Sequence, residues 1–332
     1  MESTVMNSSI VSMPAKKDTL IFKGRDRAKT LHNLCTNDIL RSGQGDCLEA
    51  FITSLQGKIL GFVEIVVLED SIYIVSNEKG LELCRDHIKK YSIFDETEVI
   101  EPAQELFSLF VHGKNAIEQL SEMADLSFVS ENRKCKKFDF DKLEVIVKPS
   151  FLAGSVELIG NHIVISDISE KLKTTQLTPD QFELIRIAAA WPLSGIDTSA
   201  DNLPQEIDRD KTAISFKKGC YLGQETVARL DALGHVNRKL VGVSFKSAED
   251  NLNSLKNLPI QVVNKDNQQV GEIRSLAYDP ENRQYLGLAM MRLKALESET
   301  RIAVAPEINL IFQSLEIFRE EAGSLLQSEL NI

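Results

Sequence analysis

The chain has 332 residues, 43% of them hydrophobic, and a formal net charge of -11; at ~150 residues per domain this leads us to expect two or three domains with real cores. The acidic balance argues against direct nucleic-acid binding, which needs clustered positive charge to displace counterions, and no apolar run approaches the ~20 residues of a membrane span. Cys35, Cys47, Cys84, Cys135 and Cys220 form no C-x-x-C pair; neither a disulfide framework nor a closed zinc site is expected, and the chain reads as intracellular with reduced thiols, cytoplasmic or in an organelle matrix or stroma.

Residues 1–17 are polar and read as a disordered tail. A short strand is expected over 18–23 and a helix from 26 or 27 to 40, with Ala28, Leu31, Leu34 and Ile39 near helical spacing. Residues 49–55 and 58–68 read as a hairpin whose turn, Gln56-Gly57, uses glycine to allow positive φ. A third strand follows over 71–76 and an amphipathic helix over 78–90. A second round gives a strand over 105–112, a helix over 114–123, and strand-like runs over 143–147, 155–159 and 163–165. The helix over 178–190 carries its own start signal: Thr178 as N-cap, Pro179 at the first position and Gln181 as capping-box partner. This alternation is of the α+β kind. From about residue 238 short β-type runs with polar turns (240–245, 259–263, 269–275, 284–291) predict a separate small antiparallel barrel or sandwich. Residues 311–325 mix helical and strand signals.

The stretch Ser215 to Glu225, followed by Ala228-Arg229, concentrates chemistry. Gly219 frees the backbone before Cys220, and Gly223 permits a second close approach. Gln224 and Glu225 open a helix, and Arg229 stands four residues after Glu225, the spacing of an ion pair. A cysteine in such a turn, near lysines and a helix start, would have a lowered pKa and some exposure; the bland alternative is a small core residue. His32, His87, His112, His162 and His235 show no metal spacing, although His235 lies close enough to the stretch to face a site. Trp191, beside Pro192, is expected to pack a helix end rather than stack on a ligand.

Lys218-Gly219-Cys220-Tyr221-x-Gly223-Gln224-Glu225 resembles the K-G-C-[FY]-x-G-Q-E signature of the YgfZ/IBA57 folate-binding proteins, relatives of the glycine-cleavage T protein. Leu203-Pro204-Gln205-Glu206, the segment from Gly234 to Leu240, Leu34-x-Thr36-Asn37-Asp38 and Gly287-Leu288-Ala289 are similar to flanking family motifs, in the family's order. The resemblance implies a T-protein-like ring of three parts around a central channel. Two ferredoxin-like α+β parts would fill 18–237, the second at approximately 48–165, and an antiparallel β-barrel would fill 238–332. It implies tetrahydrofolate or a derivative as cofactor, Cys220 as the candidate thiol, and Lys218, Tyr221, Gln224, Glu225, Arg229, Glu206 and Asn37 as folate-binding residues. Glu206, Gln224 and Tyr221 would serve the pterin, and Lys218 or Arg229 the glutamyl tail. The implied partners are iron–sulfur proteins or assembly factors, with cluster enzymes that modify tRNA among the clients. Two readings compete: a folate-dependent aminomethyl- or methyltransferase on an unknown substrate, and a non-catalytic scaffold. Gly61 stands where the T protein has its catalytic aspartate, and Glu64, three residues on, belongs to the opposite strand face. Glycine-cleavage aminomethyl transfer is therefore not expected.

Overall fold

The computed structural model describes residues 10–93, 96–113, 116–123, 134–234, 236–246, 255, 257–296, 300–303 and 308–330. Its spine is one long strand, β1 (Val11–Lys23). The first half of β1 pairs antiparallel with β6 (Leu106–His112), and the second half with β4 (Ser71–Asn77). A ten-stranded sheet results, ordered β2 (Cys47–Thr53), β3 (Ile59–Val67), β4, β1, β6, β9 (Val156–Gly160), β8 (Leu143–Pro149), β7 (Lys136–Phe140), with β5 (Glu98–Ile100) and β10 (Thr175–Gln176) beside β1. All its ladders are antiparallel except the short one between β1 and β10. The two α+β units read from the sequence thus share one continuous sheet.

The expected tail over 1–17 is corrected by this strand, which begins at Val11. Ile10, Val11 and Ser12 are buried against the second unit, a non-local packing that the polar run Lys16-Lys17-Asp18 conceals. Residues 1–9 lie outside the described residues. Helix α1 (Arg27–Leu34) stops short of residue 40, because Cys35 is already extended with ψ 165°. Helix α2 (Arg85–Tyr91) starts late: the segment before it is a chain of turns. Helix α3 covers Ala116–Met123. The run 163–165, read as strand, lies inside helix α4 (His162–Lys171), where the Asn161 side chain accepts from Val164 N–H at 3.0 Å. A three-residue apolar run has no period of its own, so the N-cap decides. Helix α5 (Pro179–Ala188) carries the full capping box of Thr178 and Gln181. A single turn, α6 (Asp210–Ala213), and helix α7 (Gln224–Leu233) follow.

The remaining strands form a second, antiparallel sheet in the order β15 (Thr300–Ile302), β12 (Ile260–Asn264), β13 (Gln269–Asp279), β14 (Gln284–Arg292), β11 (Arg238–Lys246), β16 (Ile311–Gln313). No ladder joins β15 to β16 among the described residues, so the expected barrel is an open sheet here. The last segment resolves as β16 followed by helix α8 (Leu315–Leu330). A buried charge cluster joins this sheet to α5. Arg186, 1% exposed, donates to Asp197 at 2.9 Å and to the Ser275 hydroxyl at 2.7 Å, and Ser275 donates to Asp197 at 2.6 Å. A buried guanidinium is tolerable only when paired and saturated with acceptors in this way.

His112, at the end of β6, is 3% exposed, and neither ring nitrogen has a hydrogen-bond partner among the described residues. Burial lowers its pKa below the ordinary 6.5. The folded state keeps this imidazole neutral, while the unfolded chain takes up a proton below about pH 6.5. Its contribution is therefore complete above that pH and is lost as the pH falls. We expect denaturation midpoints to drop between about pH 7 and pH 5, and His112→Leu to flatten that part of the profile.

Candidate functional site

The signature stretch is first of all a clasp. Gly223 has φ +83° and precedes α7 as its N-cap. A Cβ there would stand 2.3 Å from Ser54 O and 2.8 Å from Gly57. Gly57 itself has φ +74°, and a Cβ on it would stand 2.8 Å from Thr226 Cβ. The turn of the β2–β3 hairpin and the turn before α7 therefore meet backbone to backbone, a contact open only to glycine. Thr53 Oγ1 donates to Leu222 O at 2.6 Å, Leu222 N to Asn33 O at 3.0 Å and Ser215 N to Thr36 O at 2.9 Å, which fasten the clasp to α1 and β2.

Lys218 is 7% exposed. Its ammonium donates to the carbonyls of His32, Cys35 (2.6 Å) and Asn37 (2.9 Å) and lies 4.7 Å above the Tyr221 ring. Burial lowers its pKa, while Cys35 and Asp38 act in the other direction. Tyr221 is a core residue, 8% exposed, packed with Ile207, Ala213 and Val227. Burial raises its phenol pKa. Glu206 is also committed: it accepts from Arg238 at 3.0 Å, Asn202 Nδ2 at 2.9 Å and Leu203 N at 3.2 Å. Cys220, Glu225 and Arg229 are exposed. The expected Glu225–Arg229 ion pair is not formed among the described residues. Gln224 is the first residue of α7, half-buried. His235 lies outside the described residues.

What the clasp holds in place is the wall of a cavity of about 290 Å³. Of the site residues expected from sequence, Asn37 lines it; Lys218, Cys220, Tyr221, Gln224, Glu225, Arg229 and Glu206 do not. Asn37 shapes the wall, its amide donating to Glu49 O at 2.8 Å and Thr212 O at 2.9 Å. The rest of the lining comes from both units of the large sheet, α6 and α8: Glu49, Glu64, Phe151, Trp191, Arg209 and Arg319 are its chemistry-bearing members. Trp191 stacks on Phe151 at 5.8 Å with 26° between planes, and the Arg209 guanidinium lies 4.9 Å over the indole. Arg209 grips both oxygens of Glu49, which also accepts from Thr212 Oγ1 at 3.0 Å.

Glu49 and Glu64 face each other across β2 and β3, a like-charge pair that would destabilise the sheet if left alone. Each has its own cation. Glu64 accepts from Lys148 Nζ at 2.6 Å, Lys148 also meets Glu157 at 2.7 Å, and Glu157 meets Lys17 at 2.6 Å. Lys148 is 1% exposed; burial works against its charge, but Glu157 and Glu64 hold it protonated. Burial raises the Glu64 pKa, with Lys148 acting against the rise. Burial also opposes ionisation of Glu157, yet Lys148 and Lys17 prevail and hold it low. Gly61 turns its missing side chain the other way, toward Cys84 Sγ and Gly80 O at 3.3 Å each. The opposite-face reading of Gly61 and Glu64 agrees with this geometry, and the face that matters is the one carrying Glu64. Sequence reasoning passed over Glu49, Phe151, Arg209 and Arg319, which belong to no local motif, and it set Trp191 aside as packing.

No protein-family model matches the chain. A tRNA-modifying protein YgfZ of Colwellia psychrerythraea is 25% identical over 232 residues, 66% of each chain. One from Photorhabdus laumondii is 24% identical over 208 residues, 62% of each chain. The chain spans slightly less than two thirds of the length of these relatives. An aminomethyltransferase of Caldanaerobacter subterraneus is 23% identical over 297 residues, 86% of this chain and 77% of that one. The glycine cleavage system aminomethyltransferase T of Bartonella henselae superposes with a TM-score of 0.75 at 13% identity, covering 94% of this chain and 87% of that one; it shares the fold. The chain is thus similar both to YgfZ proteins and to aminomethyltransferases, which supports a YgfZ/T-protein-like family. In this chain the signature glycines are spent on the clasp, and the cavity lies beyond it.

The clasp is directly testable. Gly223→Ala places a Cβ against backbone at 2.3 Å in a left-handed conformation, so we expect a loss of about 2 kcal/mol or more of unfolding free energy. Urea denaturation of the variant measures it. An unchanged midpoint would mean that the two turns need no close contact.

Proposed function

We propose that this protein binds tetrahydrofolate, or a derivative, in the cavity lined by Trp191, Phe151, Arg209, Glu49 and Glu64, and serves as an accessory factor for iron–sulfur cluster assembly or repair. The observation that carries the reading is the composition of that cavity. An aromatic wall suits a flat heterocycle. Carboxylates suit the donor edge of a pterin, and guanidinium groups suit the carboxylates of a glutamyl tail. The buried Ser150 hydroxyl on the same lining has no hydrogen-bond partner among the described residues, an acceptor or donor left for a ligand. The volume of about 290 Å³ is just below the ~300–1,000 Å³ of small-molecule pockets; it suits the ring system, with the tail extending outward past Arg319. In this reading the three-part ring of the T protein surrounds the ligand.

A bound reduced folate would supply one-carbon or reducing chemistry. The chain's own contribution is to orient the ring on Trp191, to pair the carboxylates of Glu49 and Glu64 with Arg209 and Lys148, and to present Cys220 on the outside. A single thiol does not hold a stable cluster, which takes four ligands, so Cys220 would act as one transient ligand or as a redox thiol while a partner supplies the rest. The clients would be cluster enzymes, in line with relatives named as tRNA-modifying proteins.

A second reading, a folate-dependent aminomethyl- or methyltransferase, is favoured by one observation: Glu64 brings a carboxyl with a raised pKa to the cavity. It predicts turnover of methylene- or methyltetrahydrofolate with an acceptor, abolished by Glu64→Gln.

Calorimetric titration with tetrahydrofolate tests the binding on which both readings rest, and turnover with an acceptor separates them. We expect saturable binding, weakened at least about tenfold in Arg209→Met, the equivalent of about 1.4 kcal/mol. We expect Cys220→Ala to bind normally but to lower the activity of a cluster-dependent tRNA-modifying enzyme in cells. Absence of tetrahydrofolate binding by the wild-type protein would remove the proposal.

A further inference from the structure

Folate binding leaves one part of the cavity wall without a role. Cys47 opens β2, is half-buried and lines the cavity. Cys135 lies behind it, just before β7, and is 4% exposed. The backbone brings them together. Asp46 and Lys134 form an antiparallel bridge, and Cys135 N–H donates to Gly45 O at 2.6 Å. Residues 45 and 47 share a strand face, so Cys47 and Cys135 are diagonal neighbours on one side of this short ladder. The Cys135 thiol donates to Asp46 O at 3.7 Å, the carbonyl next to Cys47. Val66, Leu68, Ile146 and Ile159 surround them.

A buried cysteine is ordinarily a small apolar filler. Three features set this pair apart. The two side chains share one face of the ladder, one of them reaches a cavity, and the positive charge of Lys148 favours the thiolate of either. We propose that Cys47 and Cys135 form a reactive dithiol that reduces a small hydroperoxide entering the cavity and closes to a disulfide.

The order of steps follows from position. Interaction with the Cys47 thiol lowers the Cys135 pKa against the opposing effect of burial, and the same interaction, with burial, raises that of Cys47. The first proton therefore leaves from Cys135, and its thiolate takes up the Cys47 proton as Cys47 reacts. Cys47 is the sulfur that meets the cavity. It attacks the peroxide oxygen; an S–O bond forms, the O–O bond breaks, and the leaving oxygen departs with the released thiol proton as water or alcohol. Cys135 then attacks the Cys47 sulfenyl sulfur; the S–S bond forms, the S–O bond breaks, and the hydroxyl leaves as water with the second thiol proton. Two thiols lose two electrons and the hydroperoxide gains them. The product disulfide would bolt the segment before β7 to β2 beside Glu49.

The test uses the full chain, without folate, treated with hydrogen peroxide and digested under non-reducing conditions for peptide mass mapping. The expected result is a linked Cys47–Cys135 peptide as the main product of the folded protein. In Cys135→Ser, Cys47 is expected to stop as a sulfenic acid that dimedone traps. The proposal is overturned if both peptides stay reduced in folded wild-type protein while the exposed Cys220 oxidises, or if the link forms only after denaturation. The wild-type map requires no substitution, so it stands even where Cys135→Ser does not fold. Since no folate is present, either outcome leaves the cavity reading to its own titration.

Discussion

The contact between Gly57 and Gly223 sets the terms for the site. Two left-handed glycines let the first hairpin turn and the turn before α7 approach with no side chain between them. The Lys218 ammonium completes the join from inside, collecting three carbonyls at the end of α1. Those carbonyls lie where the helix has ended and its chain turns, so a buried cation there offsets what would otherwise be unsatisfied acceptors. With the hairpin held in this way, β2 and β3 carry Glu49 and Glu64 to one wall of the cavity.

The cavity is built on balanced charge. Two carboxylates stand side by side across the β2–β3 ladder, each answered by its own cation from elsewhere in the chain: Arg209 for Glu49, Lys148 for Glu64. Lys148 and Glu157 sit on paired strands of the second unit and Lys17 on β1, so the chain of ion pairs crosses the middle of the large sheet. Removing any one member would leave a buried charge unpaired, a heavier loss than the pair itself contributes. The Arg209 guanidinium that pairs with Glu49 also lies over the Trp191 ring, so charged and aromatic groups adjoin in the lining.

Much of the fold was legible because it was written locally. The Gln56-Gly57 hairpin, the capping box of α5 and the short β-runs of the second sheet each have a nearby chemical signal, and each stands in the structure. The start of β1 was not, since a strand that pairs with both units is stabilised by partners far away in sequence. The candidate site was legible as a neighbourhood rather than as a list of ligands. Lys218, Tyr221 and Glu206 have side chains suited to a folate, but their atoms are already engaged by the protein. Arg209, Glu49 and Phe151 have no shared motif and meet only through the tertiary fold.

The central claim is that the cavity beside Trp191 is where a folate binds. The chain contains one tryptophan, and it lines that cavity, so its fluorescence reports on the site alone. Titration with tetrahydrofolate is predicted to quench Trp191 emission to a saturating limit, with the same midpoint as the heat of binding. Saturable heat with unchanged emission would place the ligand elsewhere and contradict the account.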